Sequence, residues 1–238
     1  MRSSRSGADP VDPGRAGFAH RGLHSGPGFP ENSFPAFAAA LELGAGIECD
    51  LRLTQDGRIV VFHDADAQRI CGSPLRIGRS TWAELSDLRV GEHPLPTLRG
   101  LLDLVDGRVP LLLEVKVERD LRRWVPALKC ELKSYRGRYG IMSFDPRLGR
   151  LLATNMLDAR RGLVVRDELP ALRRRAALWL ARPDFIAVER TALGKAWVDR
   201  ARRRMPVYTW TIRTEAERAK AEVQADALIW EADGRPRI

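Results

Sequence analysis

Ile47-Glu48-Cys49-Asp50-Leu51-Arg52-Leu53-Thr54-Gln55-Asp56-Gly57-Arg58-Ile59-Val60-Val61-Phe62-His63-Asp64 is the stretch on which the fold turns. Apolar and polar residues alternate along its first part, the period of a strand, so Glu48 and Asp50 share one face. Arg58–Phe62 reads as a second strand, with only Thr54 to Gly57 between the two. A parallel crossover needs about a dozen residues, so these two runs are not parallel neighbours. Asp56-Gly57 is a hairpin signal. The second run therefore returns antiparallel from a turn near Gln55–Asp56 and carries His63 back to about the level of Glu48.

Outward from this hairpin, short apolar runs alternate with longer helical patterns, which argues for β/α units and a parallel sheet. The expected strands are Gly17–His20, Ile47–Leu51, Pro110–Val115, Tyr139–Met142, Gly162–Val165, Asp184–Val188, Pro206–Thr211 and Ala227–Trp230. Between them lie helical patterns over Phe34–Leu43, Leu98–Val105, Leu121–Lys133, Arg147–Thr154, Glu168–Leu180, Leu193–Arg204 and Glu215–Gln224. Eight such strands in 238 residues fit one (β/α)8 (TIM) barrel. The expected layout is a flexible tail over 1–15 and one barrel domain over 16–238. The hairpin excursion follows strand two, and a short irregular insertion over 64–96, with a helix near Trp82–Leu88, precedes strand three.

Composition narrows the functional classes. With 44% hydrophobic and 30% charged residues the chain reads as globular. No apolar run reaches the ~18 residues of a membrane helix. The polar N-terminus lacks a signal-peptide core, so the expected location is cytoplasmic. Three widely spaced cysteines without a CxxC argue against a disulfide framework or a thiolate zinc site, and Cys49 reads as a small core residue. The net charge of +9 is largely arginine, with clusters at Arg173-Arg174-Arg175 and Arg202-Arg203-Arg204. Solvated helix faces explain them; attraction toward anionic substrates or peripheral contact with an anionic membrane is the functional reading. No helix-turn-helix, zinc-finger or RNA-binding signature supports a nucleic-acid partner. Nothing in the sequence sets an oligomeric state.

Barrel active sites are built at strand C-terminal ends, and polar residues gather there. His20-Arg21-Gly22 follows strand one, and Glu48 and Asp50 share a face of strand two. His63-Asp64 ends the returning strand, while Glu114 and Lys116 end strand three. Carboxylates converging in an apolar mouth repel one another and are costly to bury unpaired. A divalent cation resolves this, and oxygen-only ligands favour Mg2+ or Ca2+. Ion pairs from Glu48 and Glu114 to Arg21, Lys116 or Arg52 are the bland alternative. His20 and His63 are the acid–base candidates, since imidazole titrates near neutrality. His24 and His93, in loops, read as bystanders. Arg21 and Lys116 supply positive charge suited to a phosphate.

These residues resemble the glycerophosphodiester phosphodiesterase family. The resemblance rests on Ala19-His20-Arg21-Gly22, Glu31-Asn32-Ser33, Ile47 to Leu51, Thr54 to Gly57 and Val60 to Asp64. It continues through Leu95-Pro96-Thr97-Leu98, Leu113-Glu114-Val115-Lys116 and Ser143-Phe144, and more weakly through Trp210-Thr211-Ile212. It implies a barrel whose metal is held by Glu48, Asp50 and Glu114, with His20 and His63 as the catalytic pair and Arg21 and Lys116 near the phosphate. It also implies that Asn32 orients substrate, that Trp210 walls the site, and that the glycerol 2-hydroxyl attacks to give a cyclic phosphate that water opens. The implied substrate is a small glycerophosphodiester. The alternatives are a lysophospholipase D-like or sphingolipid phosphodiesterase releasing a cyclic phosphate, acting for example on a lysophospholipid, and a non-catalytic barrel binding phosphorylated ligands. The chain departs from the family pattern where the alcohol portion of a substrate would lie. Arg213 stands where many members carry asparagine, offering a phosphate contact or a surface ion pair. Trp230-Glu231-Ala232 replaces the usual Thr-Asp after the last strand, and the insertion after His63 is short.

Overall fold

The computed structural model describes residues 11–26, 28–118 and 120–237. From the N-terminal side the elements are β1 (Phe18–His20), α1 (Phe34–Glu42), β2 (Gly46–Leu53), β3 (Ile59–Val61), α2 (Gln68–Cys71), α3 (Trp82–Leu85), β4 (Arg89–Val90) and β5 (His93–Pro94). Then follow α4 (Leu98–Val105), β6 (Leu111–Val115), α5 (Trp124–Leu132), β7 (Tyr139–Ser143), α6 (Pro146–Asn155), β8 (Arg160–Val165) and α7 (Ala171–Ala181). The chain ends with β9 (Phe185–Glu189), α8 (Ala196–Arg202), β10 (Val207–Ile212), α9 (Glu215–Gln224) and β11 (Ala227–Trp230). Strands β1, β2, β6, β7, β8, β9, β10 and β11 pair parallel in that order, and β11 pairs with β1 to close the barrel. All eight expected barrel strands are present.

The hairpin reading also holds. β2 overshoots the barrel and β3 returns antiparallel, with Leu51 opposite Val61 and Leu53 opposite Ile59. Phe62 N donates to Asp50 O (2.9 Å), and continuing the register brings His63 level with Cys49, one residue from the expected Glu48. The insertion is more ordered than expected. It builds α2, α3 and the β4–β5 hairpin over its own apolar cluster of Val60, Phe62, Ala67, Ile77, Leu85, Val90 and Leu95.

Three helix starts move for local reasons. Leu121–Arg123 form a 3-10 turn, so α5 begins at Trp124. Pro170 delays α7 to Ala171, because a residue before proline is pushed out of the helical region. Arg190–Ala192 form a 3-10 turn and Gly194 has φ +85, so α8 begins at Ala196. Of the expected tail, residues 1–10 lie outside the described residues, while Val11 is buried and Gly14–Ala16 form a 3-10 turn.

Strand parity sorts the core into two layers. Ile47, Cys49, Leu51, Leu113, Ile141, Leu163, Ile186, Val188 and Trp230 join the layer between sheet and helices. Phe18, Leu112, Met142, Val164, Phe185, Ala187, Tyr208, Ala227 and Ile229 fill the barrel itself. Glycines make room for the two phenylalanines of this plug: a Cβ at Gly46 would stand 2.6 Å from the Phe18 ring, and one at Gly162 2.4 Å from the Phe185 ring.

Candidate active site

Successive side chains on a strand alternate faces, so each residue two beyond the plug continues its inward row at the C-terminal mouth. That rule collects His20 above Phe18, Glu114 above Leu112, Phe144 above Met142 and Arg166 above Val164. It also collects Trp210 above Tyr208 and Glu231 above Ile229, while β2 contributes Glu48 and Asp50 above Gly46. The mouth is therefore one ring of charged and aromatic side chains seated on a packed apolar floor.

Glu48, Asp50 and Glu114 are all buried, and each offers a carboxylate oxygen to a group whose ligand atoms lie within 4.8 Å of one another. Lys116 Nζ sits 2.8 Å from Asp50 Oδ1 and also contacts Glu114 Oε1. Arg21 Nε lies 3.1 Å from Asp50 Oδ2. The expected neutralising pairing is thus present for Glu114, although Arg52 turns away to Glu118 and the His63 carbonyl. Burial alone would raise Asp50, but Lys116 and Arg21 hold its carboxyl well below the usual range. Glu48 goes the other way: burial, then the charges of Asp50 and Glu114, push it well above the ordinary value. Glu114 is raised by burial as well.

Three buried carboxylates against Lys116 and Arg21 leave the group one positive charge short of neutral, and among the described residues Glu48 accepts one hydrogen bond, from the Arg21 backbone N–H at 3.2 Å. An all-oxygen donor set carrying an uncompensated charge fits a hard divalent cation.

Loops after β1 hold this arrangement in unusual backbone. Arg21 and Asn32 both have positive φ, 57° and 53°, and Asn32 N donates to Arg21 O at 2.9 Å. Asn32 Nδ2 donates to Asp50 Oδ2 at 2.9 Å, so the side chain expected to orient substrate holds a member of the carboxylate group. Gly22 is required because a Cβ there would meet the Ala36 carbonyl carbon at 2.8 Å, with φ at +79.

The two histidines each rest Nδ1 on a carboxylate. His20 Nδ1 is 2.8 Å from Glu231 Oε2, with Nε2 4.0 Å from Glu48 Oε2. His63 Nδ1 is 2.7 Å from Asp64 Oδ1. Burial lowers the pKa of both imidazoles. Asp64 accepts from Arg69 Nε at 2.6 Å, and Arg69 forks onto Glu31, which accepts from Arg21 Nη1 at 2.8 Å. A continuous ion-pair chain therefore links His63 through the insertion to Asp50. Arg69 gave no signal in the sequence, lying in a stretch read as irregular.

Glu231 was also not foreseen as a contact of His20. The available signal was its place as the first residue after β11, the strand that closes on β1. Arg213 pairs with it. Burial opposes ionisation of Glu231, but the hydrogen bond from His20, with the His24 imidazole and Arg213 close by, holds its carboxyl below the ordinary range. His24 is no bystander, since its Nε2 lies 3.4 Å from Glu231. His93 lies on β5, away from this group.

The β7–β10 side of the mouth is aromatic. Trp210 donates Nε1–H to Ala187 O at 3.0 Å and meets Phe144 edge-on, with centroids 5.6 Å apart.

The profile of the Glycerophosphoryl diester phosphodiesterase family matches residues 20–233. The glycerophosphodiester phosphodiesterase of Bacillus altitudinis is 32% identical over 125 residues, 49% of this chain and 50% of that one, so the chain aligns with about half the length of this curated relative. A putative glycerophosphoryl diester phosphodiesterase from Silicibacter pomeroyi superposes with a TM-score of 0.81 at 23% identity, covering 95% of this chain and 94% of that one. A phosphodiesterase from Oleispira antarctica, solved with its product sn-glycerol-3-phosphate, superposes with a TM-score of 0.80 at 22% identity, covering 90% and 91%. The two solved structures establish a shared barrel fold. The profile match runs from the first mouth histidine to just beyond Glu231, and on that ground the chain belongs to the glycerophosphoryl diester phosphodiesterase family.

Proposed function

We propose that the chain hydrolyses glycerophosphodiesters to glycerol 3-phosphate and an alcohol, using a divalent cation and two histidines. The observation that carries this reading is the burial of Glu48, Asp50 and Glu114 around one small volume beside His20 and His63. Glu48, Asp50 and Glu114 would hold Mg2+ or Ca2+, which supplies a lowered hydroxyl pKa and stabilisation of charge on phosphorus.

The remaining chemistry belongs to the chain's own residues. Arg21 and Lys116 bring cationic donors to a phosphate oxygen. Glu231 and Asp64 favour the Nδ1–H tautomer of their histidines, leaving Nε2 as the working nitrogen. One imidazole takes the proton of the glycerol 2-hydroxyl as that oxygen bonds to phosphorus. The bond from phosphorus to the alcohol oxygen breaks, and the other histidine, as imidazolium, protonates the departing oxygen. Water then opens the cyclic phosphate with the two roles exchanged. Asn32 positions Asp50, Trp210 walls the alcohol side, and Arg213 steadies Glu231. All of these residues sit within the one barrel, consistent with a single functional domain over 16–238.

Product analysis by 31P NMR tests the reading. A panel of glycerophosphodiesters and lysophospholipids should yield glycerol 3-phosphate from the former, with turnover lost in EDTA and restored by Mg2+ or Ca2+. A cyclic phosphate released as the end product from lysophospholipid would favour the alternative lipid phosphodiesterase. Absence of turnover across the panel refutes the enzyme reading, and full activity in EDTA removes the metal from it.

Among the described residues no helix is long and apolar enough to cross a membrane. Peripheral contact with anionic lipid, for a protein working in the cytoplasm, is favoured by α7. That helix carries Arg173, Arg174 and Arg175 without an acid and leaves Leu172 79% and Trp179 69% exposed. Co-sedimentation with phosphatidylglycerol vesicles that weakens as salt rises checks it.

A further inference from the structure

Beside the phosphate seat, Phe144 follows β7 and is 37% exposed at the mouth. Arg166, the residue after β8, places its guanidinium carbon over that ring at 5.1 Å from the centroid. Lys116 Nζ, already against Asp50, lies over the same ring at 5.9 Å. The Phe144 ring is held in turn by Trp210, whose indole is tied to the Ala187 carbonyl.

An aromatic ring at the mouth of a pocket is the natural seat for a fixed organic cation, because its face carries negative potential. Here two cations of the chain itself already stand over the ring. Two of the acids on this side are paired with cations of their own, Asp145 with Arg147 and Asp167 with Lys195, while Glu189, two beyond Ala187 on β9, accepts the Asp167 backbone N–H. Glu168 lies 3.9 Å from Arg166 itself. Arg166 is 60% exposed, so its remaining donors face whatever enters.

In phosphoryl transfer the attacking and leaving oxygens lie roughly in line across phosphorus. With the glycerol over the carboxylates of β2 and β6, the departing alcohol points away from them into the β7–β10 half of the mouth, which begins at Phe144 beside β6 and runs past Arg166 to Trp210. We infer that Arg166, stacked on Phe144, selects the alcohol: a neutral polyol or an anion-bearing alcohol is accepted, and an alcohol with a quaternary ammonium group is disfavoured. This deepens the phosphodiesterase reading and rests on it. A guanidinium hydrogen-bonds hydroxyls and carboxylates through its fork and repels a trimethylammonium that has lost its aromatic seat.

The test compares kcat/KM for glycerophosphoglycerol and glycerophosphocholine in the wild type, Arg166→Gln and Arg166→Glu. The wild type should favour the polyol substrate by about tenfold or more, on the scale of one displaced cation–aromatic contact. Arg166→Glu should shrink or invert that ratio by about tenfold, chiefly through a lower KM for the choline substrate, with Arg166→Gln in between. Arg166 is exposed, and circular dichroism melting establishes that the variants are folded. A ratio unchanged in folded Arg166→Glu, or a wild type that prefers the choline substrate, overturns the inference while leaving the phosphodiesterase reading intact. A wild type that turns over neither substrate overturns both.

Discussion

At the floor of the barrel Asp184 accepts three hydrogen bonds from Arg161, each 2.9 Å long; at the mouth Glu48 accepts one, from a backbone N–H. The floor repeats its device. Asp226, just before β11, accepts from Val207 N at the start of β10, as Asp184, just before β9, accepts from Arg161 N near the start of β8. These aspartates staple neighbouring strands where the chain enters the barrel. The mouth carboxylates are more deeply buried and lie beside one another, and although Asp50 is well paired, the three share only the cations Lys116 and Arg21. Groups of one chemical type thus sit at opposite ends: paired with arginine they hold strands together, and crowded together at the mouth they form a group that could hold a metal ion. Separating the two ends lets loops at the mouth vary without loosening the floor.

The largest effect that could break this contrast is at the mouth. His20→Ala and His63→Ala should each lower kcat by about 100-fold or more, with little change in melting temperature. Wild-type turnover in either variant would show that the ring of mouth residues does not work as proposed. Next, Asp184→Asn at the floor should lose about 2 kcal/mol of stability, because Arg161 is left with a weaker partner, while kcat per folded molecule stays unchanged. The pH dependence sharpens the same point. Burial opposes ionisation of Asp184, but the Arg161 hydrogen bonds prevail and hold its folded pKa below the unfolded value. Its contribution is therefore present above about pH 4 and is lost as pH falls through the folded pKa. Denaturant titrations should show a stability loss below about pH 4 that is shallower in Asp184→Asn than in the wild type. The smallest effect is Glu48→Gln measured in EDTA, which should be neutral or stabilising by up to about 1 kcal/mol. Adding Mg2+ or Ca2+ should then raise the melting temperature of the wild type and not of the variant. A marked loss of stability in Glu48→Gln would place the mouth carboxylates in the same structural role as Asp184.

Much of this was readable before any fold was known. The eight barrel strands announced themselves as short apolar runs, and Asp56-Gly57 with too short a linker forced the antiparallel return of β3. Glu48 and Asp50 on one face, and Glu114 beside Lys116, followed from the two-residue period of strands. The residues that escaped notice share one property: their partners are remote. His20 and Glu231 are 211 positions apart and meet only because β11 closes on β1. His24 looked like a loop residue until that same closure put Glu231 beside it. Arg69 joins Glu31 and Asp64 because the insertion folds over its own small core and sends α2 back to the mouth.

The order of residues alone determined the alternation of strands and helices, the hairpin, and which side chains share an inward face, because these depend on backbone period and on neighbours a few residues away. Tertiary structure alone decided which carboxylate faces which cation, that Arg166 takes the face of Phe144, and that Glu231 rather than a nearer acid supports His20. The first two need only neighbouring strands set side by side in parallel, while the pairing of His20 with Glu231 depends on closing a ring of eight strands. Closure is a single long-range event that brings the two ends of the chain together and leaves no periodic mark in either.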